Sequence, residues 1–329
     1  MCAMANNAAQ LLLLDRYQAA ALLRPDEVLA SVRAAFLLHA VGEGRNFPLV
    51  REALPQGVFG IKSGGVARME LLGMKAAGFW PGNRRYGADG HQATIMLFDP
   101  ASGRPQCLID GVAVTTERTA AAGALGLLAL ARPDSAALCV FGTGVQGGAQ
   151  LDYALRALPG LRTVRYRTSD GRRDAKFEAR FAQRCDIAPG GGADAMVADS
   201  DIVITATTGR GPLFSPQAVR PGTHLNCVGS DTRGKRELPA GLLARASVWV
   251  DDLTQALAIG ELQWAPQTPG KEFGDLLAAG GPARQGVAAG AVTIFDMTGI
   301  ALQDLLVARM LQQRAVATGT GTSVAWPWQ

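Results

Sequence analysis

The residues best placed to do chemistry lie where apolar runs stop. The run Ala137-Leu-Cys-Val-Phe141 leads directly into Gly142-Thr143-Gly144-Val145-Gln146-Gly147, and a helical stretch from Gly148 to Leu158 follows. A GxGxxG between a strand and a helix suits a dinucleotide. The first glycine allows the tight turn, the second lets the backbone approach the pyrophosphate, and the third lets the helix pack on the strand. The helix N-terminus then faces the phosphate charge. Without that setting the same glycines would be a flexible turn and nothing more. The next strand, Thr163–Arg167, ends in Arg167-Thr168-Ser169, with Arg172 and Arg173 close behind. An NAD site places an acid about twenty residues beyond the motif, whereas an arginine there suits a 2′-phosphate. NADP(H) is therefore favoured over NAD(H), for which Asp170 is the available acid. The following two strands end in Thr205-Ala206-Thr207 and Val228-Gly229-Ser230, which are counted with the cofactor site. Asp231 comes next, at the carboxyl end of a strand, where ligands bind in sheets of this kind. It is either a general acid or base or a turn aspartate, since Asp-Thr-Arg-Gly also has turn composition.

The elements that must carry these loops follow from length and pattern. The chain has 329 residues, of which 48% are hydrophobic and 18% charged, so two domains with real cores are expected. The net charge of +4 is small and its Lys and Arg are scattered, which excludes a nucleic-acid binder with a basic face. Three histidines are too few for a multi-His metal centre, and no metal is expected. His224 begins an apolar strand and reads as a buried residue satisfied by backbone; His91 could line a pocket. Five cysteines (Cys2, Cys107, Cys139, Cys185, Cys227) form no CxxC pair. The opening MCAMANNAAQLLLL lacks a basic n-region and is too short to span a membrane. A cytoplasmic protein with reduced thiols is the expectation, with no membrane partner.

Residues 15–40 read as an amphipathic helix, with Pro25-Asp26-Glu27 as a helix-start signal. Residues 45–118 read as a mostly antiparallel sheet and 119–131 as an Ala/Leu-rich helix. From Ala136 onward apolar strands alternate with helices: Ala136–Phe141, Thr163–Arg167, Asp201–Thr205, His224–Gly229, Val248–Asp251 and Ala291–Phe295, before a last helix near 300–315. That alternation implies a parallel sheet covered on both faces. The expected fold is α/β, a Rossmann-type doubly wound sheet (119–301) inserted in a mixed α+β substrate and dimerisation domain (1–118 with 302–329).

Several further segments, in this order, carry a resemblance: Leu72-Gly-Met-Lys75, Glu117-Arg-Thr-Ala-Ala121, the GTGVQG turn, Gly229-Ser-Asp-Thr-Arg-Gly-Lys-Arg-Glu-Leu238 and Thr293-Ile-Phe-Asp-Met-Thr-Gly-Ile-Ala-Leu-Gln-Asp304. Over nearly the whole chain they resemble the ornithine cyclodeaminase/mu-crystallin family. The likeness implies a homodimeric enzyme that does redox chemistry on a small amino or imino acid. It places Arg51, Lys75 and Arg118 around a substrate carboxylate, for which arginine forks plus a lysine are the suitable clamp. Alone, Arg118 could equally be a helix-end or surface arginine. The likeness also puts Asp231 at the substrate nitrogen and Thr94 near the nicotinamide. Glu261, in a Gly-Glu element, is given a structural place or one near the pocket mouth. Phe79, Trp80 and Met74 read as core or pocket wall.

Within the family the motifs are nearest to imine reductases of the iminosuccinate type. Where ornithine enzymes tend to carry a glutamate, this chain has Lys62, which would repel a δ-ammonium and attract a second carboxylate. Three readings remain beside reduction. The tail Gly319-Thr-Gly-Thr-Ser-Val-Ala-Trp-Pro-Trp328 is similar to that of ornithine cyclodeaminases. Alanine dehydrogenases and a non-catalytic, crystallin-like binder are also members of the family.

Overall fold

The computed structural model describes residues 10–281 and 283–326, the side chain of Arg84 excepted. Cys2 and the closing Pro327-Trp328 lie outside the described residues. The chain divides into two compact units, one formed by residues up to Thr115 with those from Ala301 onward, the other by Thr116–Ile300. No helix among the described residues is long and apolar enough to cross a membrane.

The first unit is one sheet with helices on one side. Its strands are β1 (Gln10–Leu14), β2 (Gly44–Asn46), β3 (Val50–Leu54), β4 (Gly57–Val66), β5 (Leu71–Phe79), β6 (His91–Phe98) and β7 (Pro105–Asp110). They run in the order β1-β7-β6-β5-β4-β2, with β3 also on β4. All pairs are antiparallel except β1 with β7. The tail is part of this sheet: Thr322–Ala325 pairs antiparallel with β1.

Alternation gives the sheet two different faces. Leu71, Ile95, Leu97, Cys107 and Ile109 are buried on one. Leu72, Met74, Met96 and Leu108 are only half-buried on the other. Two helices, α2 (Pro25–Ala40) and the C-terminal helix (Ala301–Thr318), pack on each other and on the buried side. Glycines make the approach possible. A Cβ on Gly44 would sit 2.7 Å from Leu302 Cδ1, and one on Gly73 2.7 Å from Leu305 Cδ2.

The helix expected over 15–40 is two. In α1 (Arg16–Leu22), Asp15 and Gln18 cap each other reciprocally. Pro25 then forces Arg24 into extended backbone (φ −131°, ψ 120°), and α2 starts afresh. The helix expected at 119–131 begins earlier, as α3 (Gly111–Leu130). The β-branched run Val112-Ala-Val-Thr-Thr116 reads as strand, but Asp110 accepts the Val112 N–H at 3.0 Å and turns the chain into a helix.

The second unit is an all-parallel sheet. Its strands are β8 (Ala137–Phe141), β9 (Thr163–Arg167), β10 (Asp186–Pro189), β11 (Ile202–Thr205), β12 (His224–Cys227), β13 (Ala246–Val250), β14 (Gly270–Glu272) and β15 (Val292–Asp296). The order is β10-β9-β8-β11-β12-β15-β13-β14. The short β10 and β14 escape the sequence pattern because each has few apolar residues. Strand order reverses between β8 and β11, which opens the crevice where such sheets bind ligands.

Cores fill both faces. One joins Leu138, Val140, Val164 and Ile204 to Leu127 of α3, Leu151 of α4 (Val145–Ala157) and Phe177 of α5 (Ala175–Phe181). The other joins Cys139, Phe141, Val203 and Val250 to Val197 of α6 (Ala193–Ala198) and Ala256 of α7 (Leu253–Ile259).

His224 is buried, but side chains satisfy it rather than backbone. Its Nδ1 pairs with Thr293 Oγ1 and its Nε2 with Asn226 Oδ1, both at 2.9 Å. Asn226 donates on to the Gly123 carbonyl and Thr293 to that of Leu130, which ties α3 to the sheet. Burial pushes the imidazole down to about 4, so it is neutral at neutral pH. The thiols of Cys107 and Cys139 are free and fully buried, and burial pushes both up to about 12.

Candidate active site

In the second unit the glycine turn has the geometry that its sequence demands. Gly142 has φ +97°, and a Cβ there would lie 2.6 Å from the Ala206 carbonyl. A Cβ on Gly147 would lie 1.9 Å from the Gly142 carbonyl, so α4 packs against the turn only because that position is glycine. Around Gly144 a Cβ would meet nothing within 4 Å. That open side and a helix N-terminus with no side-chain cap fit a pyrophosphate.

The ends of the neighbouring strands gather round this turn. Gly142 N donates to the Arg167 carbonyl and Ala206 N to that of Phe141. The Thr143 hydroxyl donates to Asp174 at 2.8 Å, and Asp174 also accepts the Phe177 N–H at the start of α5. These bonds, the backbone one first, hold the Asp174 carboxyl below its ordinary range. Val145 and Gln146 form the first turn of α4. Thr205 is buried at the end of β11, and Val228 N donates to its carbonyl.

The three arginines near β9 are differently employed. Arg173 is held by Glu178, with Nε and Nη2 on its carboxylate at 2.6–3.0 Å. Arg172 lies 3.7 Å from Asp170. Asp170 itself is folded onto its own turn, accepting from the Thr168 hydroxyl and the Arg172 N–H. No ion pair engages the half-buried Arg167 among the described residues.

Asp231 is part of a braced loop. Its Oδ1 accepts from Lys235 Nζ at 2.8 Å and from the Thr232 hydroxyl at 3.1 Å. Lys235 Nζ also reaches the Gly229 carbonyl, and Ser230, fully buried, donates to the Lys235 carbonyl. Sequence reasoning quoted Lys235 without a role; its i+4 spacing from Asp231 was the available signal. Arg118 is 6% exposed, so it is neither a surface arginine nor, with α3 starting at Gly111, a helix-end one. Its guanidinium lies against Gly299 (φ +78°), where a Cβ would be 2.4 Å from Nη1.

The first unit holds a cluster of cations on one face of the sheet. Lys62 of β4 stands directly opposite Lys75 of β5, and Arg51 of β3 opposite Gly60 of β4. Residues 60 and 62 share a face, so Arg51, Lys62 and Lys75 do too. The missing side chain at Gly60 leaves room for Arg51, whose Cδ would be 3.1 Å from a Cβ there. Lys75 is 4% exposed and makes a 2.7 Å ion pair with Asp304 of the C-terminal helix, which is fully buried. Its Nζ also lies 3.4 Å from Thr115 Oγ1. Asp304 was legible only as the end of a motif. Thr94 is placed apart from these cations. It pairs with Ala76, one register step from Lys75, and stands exposed on the opposite face. His91 is half-buried at the start of β6. The Trp80 ring packs over Gly78 and Gly57, which makes it wall and not a reactive group.

The chain is similar in sequence and fold to known proteins. The family model described as "Ornithine cyclodeaminase/mu-crystallin family" matches residues 12–319. The chain is 32% identical to the iminosuccinate reductase of Paracoccus denitrificans, over 95% of this chain and 99% of that one. That protein's crystal structure, in complex with NAD+, aligns with a TM-score of 0.87. An archaeal alanine dehydrogenase dimer with bound NAD aligns at 0.88, with 29% identity over 96% of this chain and 99% of that chain. The Thermococcus litoralis Δ1-pyrroline-2-carboxylate reductase, in complex with NADH and L-proline, aligns at 0.85, with 26% identity over 95% and 100%.

Proposed function

The chain belongs to the ornithine cyclodeaminase/mu-crystallin family, and we propose that it reduces a small dicarboxylic imino acid, of the iminosuccinate type, to the L-amino acid. It is an oxidoreductase of CH–NH chemistry, as are the imine reductases it is similar to. The observation that carries the substrate class is the Lys62–Lys75 pair. Like charges directly opposite on adjacent strands destabilise a sheet. Lys75 has Asp304 to balance it. Lys62, directly opposite on the same face, adds a further cation, which suits a second carboxylate and repels the terminal ammonium of ornithine.

A nicotinamide held at the glycine turn, residues 142–147, would supply the hydride. The chain's own residues do the rest. Arg51, Lys75 and Arg118 bind and orient the α-carboxylate, and Lys62 takes the distal one. Asp231, held by Lys235 and Thr232, exchanges a proton with the substrate nitrogen. We assign the glycine turn to NADP(H) before NAD(H), although the relatives described above hold NAD+, NAD or NADH. Supporting this, Arg167 stands at the end of β9 while Asp170 is occupied by its own turn. Thr94 is proposed to serve the nicotinamide or, from its exposed face, a dimer contact.

The half-buried apolar face of the first sheet (Leu72, Met74, Met96, Leu108) supports a homodimer, the state stated for the archaeal relative. Free thiols support a cytoplasmic setting. The tail that resembles ornithine cyclodeaminases has a structural employment of its own, as an edge strand on β1, so it does not favour that reaction.

The experiment is NADPH and NADH oxidation with oxaloacetate, pyruvate or a cyclic imine, the two oxo acids with ammonia, in the parent and Lys62→Glu. Aspartate formed from oxaloacetate by the parent, and a dicarboxylate preference lost in the variant, is the expected result. Proline from ornithine, or unchanged kinetics in Lys62→Glu, refutes it.

A further inference from the structure

Glu237 has no part in the roles above, yet it occupies a singular position in the second unit. It is fully buried beneath the carboxyl ends of the parallel strands. Its two carboxylate oxygens serve two different loops. Oε1 accepts the Thr207 N–H at 2.7 Å, in the loop after β11, and Oε2 accepts the Gly229 N–H at 2.9 Å, in the loop after β12. The carboxylate is so close that a Cβ on Gly229 would lie 2.4–2.6 Å from its Oε1, Cδ and Oε2. Glycine at 229 is thus what admits the carboxylate.

A second acid secures the first. Glu261, also fully buried, accepts the N–H groups of Glu237 and Leu238 on its two oxygens, at 2.7 and 3.3 Å. The turn that carries Glu261 is held in turn by Asp296 at the end of β15, which accepts the Leu262 N–H at 3.1 Å. Three buried carboxylates therefore run in series across the ends of β11, β12 and β15. Burial pushes all three upward; Glu237 further raises Glu261, and Glu261 and Asp251 further raise Asp296, with Cys227 and Arg236 also nearby. A core that needed only volume would use apolar side chains here. Buried acids are retained where specific N–H groups have to be held.

We propose that Glu237 is a positioning residue for the reaction, a strut that fixes the Asp231 loop against the loop after β11. The proton-handling carboxylate and the cofactor-facing backbone are then kept at one separation. The proposal rests on the assignment of Asp231 and the strand-end loops made above. Glu237 touches neither substrate nor cofactor; it acts through Thr207 and Gly229.

The test compares Glu237→Gln, Glu237→Asp and Gly229→Ala with the parent, in the full-length protein. Gln turns an NH2 donor toward one of two backbone donors. Asp keeps the charge but is one methylene too short to reach both. Ala at 229 displaces the carboxylate while leaving Glu237 in place, and decides the matter should Glu237→Gln not fold. Amide hydrogen exchange at Thr207 and Gly229 is expected to quicken about 10-fold or more, as protection held by a single acceptor is lost. kcat is expected to fall about 10- to 100-fold with KM little changed, the signature of misplacement, and Glu237→Asp to recover part of it. Unchanged exchange at both amides, kcat within about twofold of the parent, or loss of thermal stability alone overturns the proposal. Exchange needs no substrate. A parent that turns over none of the imino acids therefore refutes the functional assignment, while exchange still decides on the strut.

Discussion

Removing Asp304, on the C-terminal helix, should strongly destabilise the first unit. Its carboxylate is 2.7 Å from Lys75 Nζ, with 0% and 4% of the two side chains exposed. Asp304→Ala therefore leaves the Lys75 ammonium in a dry site without its carboxylate counter-charge, with Thr115 Oγ1 3.4 Å away. Breaking a buried pair from one side typically costs about 3–5 kcal/mol, because the surviving charge stays desolvated. For a chain of this size that is a fall in Tm of roughly 4–7 °C. The double variant Lys75→Met/Asp304→Ala removes both charges and should lose much less than the sum of Lys75→Met and Asp304→Ala taken singly. pH supplies a further check. A buried ammonium without a counter-charge prefers to shed its proton, so the deficit of Asp304→Ala should shrink as pH rises from 7 to 9.5. Urea unfolding followed by circular dichroism at both pH values measures all four proteins. A loss under about 1 kcal/mol for Asp304→Ala, or additive losses in the double variant, would refute the claim that the pair is a coupled, desolvated unit.

Gly147→Ala places a methyl 1.9 Å from the Gly142 carbonyl, so nucleotide affinity should fall at least about tenfold, measured by NADPH fluorescence. Arg167→Asp should move preference from NADPH toward NADH by about 1–3 kcal/mol, which a kcat/KM ratio reads out; an unchanged ratio assigns the 2′-phosphate to another residue. Glu261 sits near 7 in the folded protein against 4.5 ordinarily, because of burial first. A raised acid stabilises the fold fully below its unfolded value and loses that contribution as pH climbs through the folded one. Tm should therefore decline between about pH 5 and 7.5, by on the order of 3 kcal/mol in stability, and Glu261→Gln should flatten that decline. A parent Tm that rises across this window sinks the assignment.

Much of this was readable from the chain because local pattern and tertiary role coincided. β8, β9, β11 and β12 are short apolar runs whose ends fall within two residues of the expected ones, and the glycine turn needs each glycine where the spacing puts it. The boundaries failed where one side chain overruled a propensity, as Asp110 does at the start of α3 and Pro25 between α1 and α2. The candidate site was legible only in part. Lys75 and Asp231 are conspicuous as charges in motifs. Their partners Asp304 and Lys235 were quoted without roles, because an ion pair between β5 and a distant helix leaves no spacing to read. Glu237 stands in a motif without a role and Glu261 has only a structural or pocket-mouth place; burial reveals two carboxylates turned onto backbone amides. The opposite orientations of Thr94 and Lys75 follow from strand alternation once the register between β5 and β6 is known.

Sealed cysteines give each unit a silent reporter. Cys107 lies in the first unit and Cys139 and Cys227 in the second, all at 0% exposure. Thiols so placed, two of them poised near 12, are inert to alkylation until their strand opens. Half-exposed Cys185 should consume reagent before these three. A labelling time course read peptide by peptide would then record the opening of the two units on separate clocks, without any engineered probe.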